Sequence, residues 1–227
     1  MSETDSAADG APAPRTSVDI VSDVVCPWCY IGKRRLEAAL AARSQPRPEI
    51  RWHPFQLNPD IPPGGVDRRS YLDDKFGGPE RAREIYARVE AAGREVGIPF
   101  DFGRIERQPN TLDAHRLIAW AQSTAAERTD RLVERLFKAY FCEGVNLGEI
   151  DELARLASEA GYDGAAARAH LGSDAGRAAI AAADARMREM GIGGVPFFIF
   201  NRRLAVSGAQ PPETLGEALA QAETPAP

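Results

Sequence analysis

A β-branched run that ends in a pair of cysteines constrains this chain more than any other feature. Residues 18–25, Val-Asp-Ile-Val-Ser-Asp-Val-Val, read as a strand. They lead straight into Cys26-Pro27-Trp28-Cys29. Behind the pair, Ile31, Leu36 and Leu40 form a rough apolar helix face, and Gln45-Pro46 stops the helix. Pro27 suits a first helical turn, because the N–H that it lacks has no helical partner there. A helix N-terminus offers unpaired N–H groups and about half a positive charge. Both stabilise a thiolate, the nucleophilic form of cysteine. Cys26 precedes the first turn, near solvent, and Cys29 lies three residues on, on the same face and deeper. The pair therefore reads as a redox couple. Cys26 attacks a substrate disulfide and forms a mixed disulfide; Cys29 then attacks Cys26 and releases the reduced substrate. Run backwards, the same pair oxidises a dithiol.

The next strand reads at 49–55, and strand–helix–strand with a short crossover predicts a parallel pair. A proline-rich loop covers 58–66. Helical spacing follows at 79–96, 111–122, 130–142, 149–160 and about 173–190, with no strand expected across roughly 67–190. Strand signal returns at 195–200, turns at Asn201-Arg202-Arg203 and runs back through 204–208. A short helix at 212–222 points Leu215 and Leu219 inward.

The second chemical signal is Gly193-Gly194-Val195-Pro196, set directly before Phe-Phe-Ile-Phe. Proline at the first position of a central strand needs a reason. The plain alternative is a trans proline closing a glycine loop. The functional expectation is a cis Val195–Pro196 bond against Cys26, leaving the Val195 backbone to pair with an extended substrate as an added strand.

Length and composition set the remaining bounds. At roughly 150 residues per domain, 227 residues make about one and a half domains. The net charge is −5 with mixed signs along the chain, so no nucleic-acid partner is expected. No apolar run is long enough for a membrane span. Residues 1–16 carry no basic start or apolar stretch of a secretory signal, so they are expected to be a solvated tail on a cytoplasmic protein, with a second tail at 223–227. In that compartment a cysteine pair is catalytic or metal-binding rather than structural. A zinc site would have to draw on Cys142, His53, His115 and His170, none of which forms a second close pair, and no metal is expected.

Some residues around the pair have two readings. Asp23 either tunes the pair and relays protons to Cys29, or bonds nearby backbone. Trp28 contacts substrate or packs. His115 is a tuning group or a satisfied interior histidine, and Asn110-Thr111 is a helix cap. Cys142 is expected to be a buried small apolar residue.

Several phrases together resemble the DsbA-like branch of the thioredoxin superfamily, and within it FrnE-like oxidoreductases. They are Ser22-Asp23-Val24-Val25-Cys26-Pro27-Trp28-Cys29, Pro54-Phe55-Gln56-Leu57-Asn58-Pro59, Asn110-Thr111-Leu112-Asp113-Ala114-His115-Arg116-Leu117 and Leu136-Phe137-Lys138-Ala139-Tyr140-Phe141. The resemblance covers about 17–222. It implies an α/β thioredoxin fold with a large inserted all-helical domain, a nucleophilic Cys26, a resolving Cys29 and a cis Pro196. The expected division is 17–57 with 173–222 as the thioredoxin-like part and 58–172 as the insertion. Implied partners are protein or small-molecule thiols and disulfides; no resident cofactor is implied, with glutathione as an optional co-substrate and a homodimer left open. The related 2-hydroxychromene-2-carboxylate isomerases and kappa-class glutathione transferases carry serine where this chain has Cys26, which favours dithiol exchange over glutathione-dependent isomerisation or transfer.

Overall fold

The computed structural model describes residues 16–224. Four strands form one sheet in the order β2-β1-β5-β6. β1 (Ser17–Ser22) and β2 (Glu49–Pro54) pair in parallel, with Val18 opposite Ile50 and Ile20 opposite Trp52. β5 (Phe197–Phe200) runs antiparallel on the other edge of β1, and β6 (Leu204–Ser207) closes the sheet. Asn201 and Arg202 turn the β5–β6 hairpin, both at positive φ (50° and 55°), as a tight turn matched to strand twist requires.

Strand alternation sends the sheet's apolar residues to two faces. Val18, Ile20, Trp52, Phe198 and Phe200 belong to the main core, under α1 (Pro27–Ala41) and α9 (Pro212–Glu223). Val21 joins Phe55, Met187 and Ile192 on the opposite face, beneath α8 (Arg177–Glu189). α1 approaches the sheet closely at Gly32. A Cβ there would fall 2.9 Å from Pro196 Cγ and 3.2 Å from Phe198 Cζ.

Between β2 and α8 lies the helical segment. It holds α2 (Arg68–Phe76), α3 (Pro79–Glu95), α4 (Leu112–Ala125), α5 (Thr129–Glu143), α6 (Ile150–Glu159) and α7 (Gly164–Leu171). The expectation of no strand here is corrected by a short antiparallel ribbon, β3 (Val66–Asp67) with β4 (Arg107–Gln108). Two residues per strand are too few to show alternation. α2 and α7 were also unforeseen; each is short, and each is started by an aspartate that accepts backbone N–H bonds, Asp67 from Ser70 and Asp163 from Ala165 and Ala166. β1 stops at Ser22 rather than residue 25, because Asp23–Val25 form a turn in which Cys26 N donates to Asp23 O at 3.0 Å. α8 begins at Arg177 rather than 173. The expected tails fall outside the described residues except at their inner ends. There Glu223 still belongs to α9 and accepts from Thr16 Oγ1 at 2.8 Å.

The helical segment shares its core with α1. Tyr30 stacks on Phe137 (5.1 Å between ring centres, 9° between planes) and meets Phe100 edge-on. Full burial of each such side chain contributes about 1.5–3 kcal/mol. Arg116 of α4 is fully buried. Its Nε donates to Ala175 O, one terminal nitrogen to Asp113 and Leu171 O, and the other to His170 O and Ser173 O, all at 2.6–3.1 Å. Five N–H donors thus meet five acceptors.

Arg116→Leu leaves those carbonyls without their donors. Urea unfolding of this variant is expected to show a loss of about 3 kcal/mol or more, and a change within about 0.5 kcal/mol would refute the clamp's importance.

Candidate active site

Cys26 stands at the N-cap of α1, in extended conformation (φ −96°, ψ 111°), with Pro27 in the first turn. Its carbonyl accepts from Cys29 N at 3.0 Å and Tyr30 N at 3.4 Å. The side chain of Cys26 therefore sits at the helix end where N–H groups converge. Its thiol donates to Val195 O at 3.6 Å. The Val195–Pro196 bond is cis, and the loop before β5 meets the start of α1 at this Cys26–Val195 contact. The two cysteines are not bridged. Their access is more alike than the sequence suggested: Cys26 is 5% exposed and Cys29 2%. Trp28 between them is the open residue, at 39%.

Burial pushes the Cys29 thiol well above its ordinary range, and the neighbouring Cys26 adds to the rise. The nearby Ser22 and the Asp23 backbone act in the other direction. The inner cysteine is thus held as a thiol against which the protein sets only weak counter-forces.

Asp23 is completely buried. One carboxylate oxygen accepts from Leu57 N at 2.8 Å, so the backbone-bonding reading of this residue holds. Its other oxygen lies 3.4 Å from Nε2 of His115, which is 4% exposed on α4. That oxygen and His115 Nε2 are both buried without a hydrogen-bond partner, as are Ser22 Oγ and Trp52 Nε1. The reading of His115 as a satisfied interior histidine is therefore incomplete. Ser22 and Trp52 were not singled out from the sequence; their unpaired atoms become visible only once β1, β2 and α4 meet.

At the start of α4 the Asn110 Oδ1 accepts from Leu112 N at 2.9 Å, whereas Thr111, the N-cap residue, makes no side-chain cap bond, so only half of the expected Asn110-Thr111 cap forms. The Asn110 Nδ2 also donates to Ile61 O at 2.6 Å and ties the proline-rich loop to the helix. Buried Arg68 donates to Gln108, Tyr140 and Tyr86 and ties these parts of the helical segment together. Burial raises the Tyr86 hydroxyl, and Arg68 acts against that rise. Cys142 ends α5, partly rather than fully buried, and its thiol is raised by burial and by Glu143. His53 bonds Asp19 at 2.8 Å. Among the described residues no group of three or more His, Cys, Asp and Glu is placed to hold a metal ion, and no helix is long and apolar enough to cross a membrane.

A family model described as a DSBA-like thioredoxin domain matches residues 17–220. A probable DsbA oxidoreductase from Streptomyces coelicolor superposes with a TM-score of 0.83 at 31% identity, over 93% of each chain. The Bacillus subtilis protein YwbO is 28% identical over 154 residues, 68% of this chain and 70% of its own length. The cytosolic disulfide reductase DsbM from Pseudomonas aeruginosa shares the fold, with a TM-score of 0.64 at 19% identity over 90% of this chain and 97% of its own.

The raised Cys29 thiol gives a direct check. Iodoacetamide on the reduced protein at pH 8.5 is expected to alkylate Cys29 at least about tenfold more slowly than a free cysteine, since each unit of rise removes about nine-tenths of the thiolate. Peptide mass spectrometry follows the site, and ordinary alkylation of Cys29 would contradict the assignment.

Proposed function

The chain belongs to the DSBA-like thioredoxin domain family, and on that footing we propose that it is a thiol–disulfide oxidoreductase working through Cys26 and Cys29. The observation that carries this is the placement of the Cys26 sulfur, at the start of α1 and 3.6 Å from Val195 O beside Pro196. The Cys26 thiolate attacks one sulfur of a substrate disulfide. A Cys26–substrate bond forms, and the other substrate sulfur leaves as a thiolate. Cys29, having given up its proton, attacks Cys26, and the second substrate thiolate departs. The reverse sequence oxidises a dithiol and returns the Cys26–Cys29 dithiol.

Trp28 is exposed beside the pair and offers an apolar contact to the substrate. The Val195 backbone presents a short edge where an extended substrate segment can add. The substrates are protein or small-molecule thiols and disulfides, with glutathione as a co-substrate. Ser22 to Cys29 and Asn110 to Leu117 favour the FrnE-like branch. Cys26 supplies a sulfur where the isomerases and kappa-class transferases use serine, so dithiol exchange is preferred to glutathione-dependent isomerisation. The reading also places the enzyme in the cytoplasm, where the pair is mostly dithiol.

Cys29→Ser should trap substrates on Cys26 as adducts that survive non-reducing electrophoresis and are released by reductant. Cys26→Ser should trap none and lose exchange by at least about a hundredfold. Mass spectrometry identifies the adducted residue. Undiminished exchange by Cys26→Ser would sink the proposal.

A further inference from the structure

Two arginines are buried among the described residues, Arg116 and Arg68. Arg116 pairs with Asp113 and bonds all of its N–H groups. Arg68 differs on both counts. Its Nη1 donates to Gln108 Oε1 at 2.6 Å and to Tyr140 Oη at 2.8 Å, and its Nη2 to Tyr86 Oη at 2.9 Å. A guanidinium carries five N–H groups, so Nε–H and one Nη2–H have no acceptor among the described residues. All three acceptors are neutral, and no described carboxylate pairs with Arg68. The adjacent Asp67 is held elsewhere, accepting from Ser70 N at 2.8 Å and Ser70 Oγ at 3.0 Å. A cation that is 3% exposed and lacks a counter-charge is costly. The rings of Tyr86 and Tyr140, centred 5.4 and 5.5 Å from the guanidinium carbon, offset part of that cost.

The unused side of Arg68 meets open space. Arg68 borders a groove of ≈ 420 Å³ between α2, α3 and the turn Phe102–Arg104. Its Nε has no partner, yet it is not among the polar atoms sealed from solvent. The groove wall is apolar at Leu72, Ala82, Phe102 and Ile105. Tyr86 also borders it, and its hydroxyl has no acceptor for its own hydrogen among the described residues. Arg69 and Arg83 stand exposed along the groove without ion pairs. Three arginines thus face one aspartate, Asp73, on a chain whose net charge is −5.

We propose that this groove binds a small carboxylic acid with a flat apolar body. The carboxylate accepts from Nε–H and the free Nη2–H of Arg68, and from the Tyr86 hydroxyl. Nε and Nη2 form one edge of the guanidinium plane, and that edge matches the two oxygens of a carboxylate. The body of the ligand lies against Leu72, Ala82, Phe102 and Ile105. That wall favours an organic acid over bare phosphate or sulfate, which would leave it wet. A groove of this size falls within the range of about 300–1,000 Å³ usual for small-molecule sites. Arg69 and Arg83 draw the anion in from solvent. Once bound, the carboxylate supplies the counter-charge that Arg68 lacks. None of these residues takes part in the thiol exchange proposed above, so the inference stands apart from it.

The test titrates sodium benzoate, to about 20 mM at constant ionic strength, into the full-length reduced protein. Nitrogen-15 NMR reads the backbone amides and the arginine Nε–H signals. Saturating shifts are expected at Arg68 Nε–H and at the amides of 68–73, 82–86 and 102–105, with a Kd of about 1 mM or tighter. Benzyl alcohol keeps the ring without the charge, and inorganic phosphate keeps the charge without the ring. Each should bind at least about tenfold more weakly. Arg68→Lys keeps the charge but loses the two-pronged edge, and should weaken benzoate at least about tenfold. Gly103→Leu leaves the Arg68 bonds alone, since a Cβ there meets nothing nearer than Asp101 Oδ1 at 3.6 Å. It narrows the groove and should weaken benzoate at least about fivefold, and it decides the matter if Arg68→Lys does not fold. Arg168→Gln, on α7, should bind as the unmutated protein does. Absence of saturating shifts, or shifts centred elsewhere, overturns the proposal. So does unchanged benzoate affinity in Gly103→Leu or in folded Arg68→Lys. Phosphate binding as tightly as benzoate overturns it in favour of a general anion site, and benzyl alcohol binding as tightly removes Arg68 from it.

Discussion

The site depends on how closely α1 lies on the sheet. Gly32 is the point of nearest approach, where any side chain would run into Pro196 and Phe198. This contact fixes two things together: the height of α1 above β5, and the position of the loop before β5 under the first turn of α1. Cys26 gains both of its neighbours from it, the helix end and the Val195 carbonyl. The close packing of protein interiors makes such an arrangement stiff, because there is little free volume to absorb a shift.

The helical segment reinforces the same helix from the other side. Tyr30 follows Cys29 directly and is held between Phe137 and Phe100, and its hydroxyl donates to Glu134 at 2.7 Å. Lys33, one turn further, is buried among Glu37, Asp130 and Glu134. The attraction of these carboxylates raises Lys33 despite its burial. α1 is thus clamped by aromatic stacking and ion pairs to α5 and by close packing to the sheet. Through these contacts the segment braces the reactive helix.

The parts of the fold governed by local pattern were legible in the sequence. The β1–α1–β2 unit announced itself through β-branched runs, Pro27 and a short crossover. α5 announced itself through paired apolar columns at 132–141, and the β5–β6 hairpin through its polar turn. The pieces that escaped carry little periodic signal. β3 and β4 have two residues each, and α2 has few apolar side chains to space. In the site, the cysteines and Pro196 were legible because each breaks a local rule in a telling place. Ser22 and Trp52 were not, since a serine and a tryptophan on strands are unremarkable until a third element leaves their polar atoms unpaired. Arg116 was hidden for a related reason: charged residues are rarely fully buried, and only the tertiary path of 170–175 supplies its acceptors.

Arg116 has one further consequence. Four of its five bonds go to main-chain oxygens, at His170, Leu171, Ser173 and Ala175. Main-chain oxygens are the same whatever residue bears them. The stretch that returns the chain from the helical segment to the sheet is therefore recognised by its shape and not by its spelling. Its exposed side chains, at 172–175, are free to drift over evolutionary time, or to be rewritten by an engineer, while the join between the two parts of the molecule keeps its geometry; Leu171, buried in the core, is not.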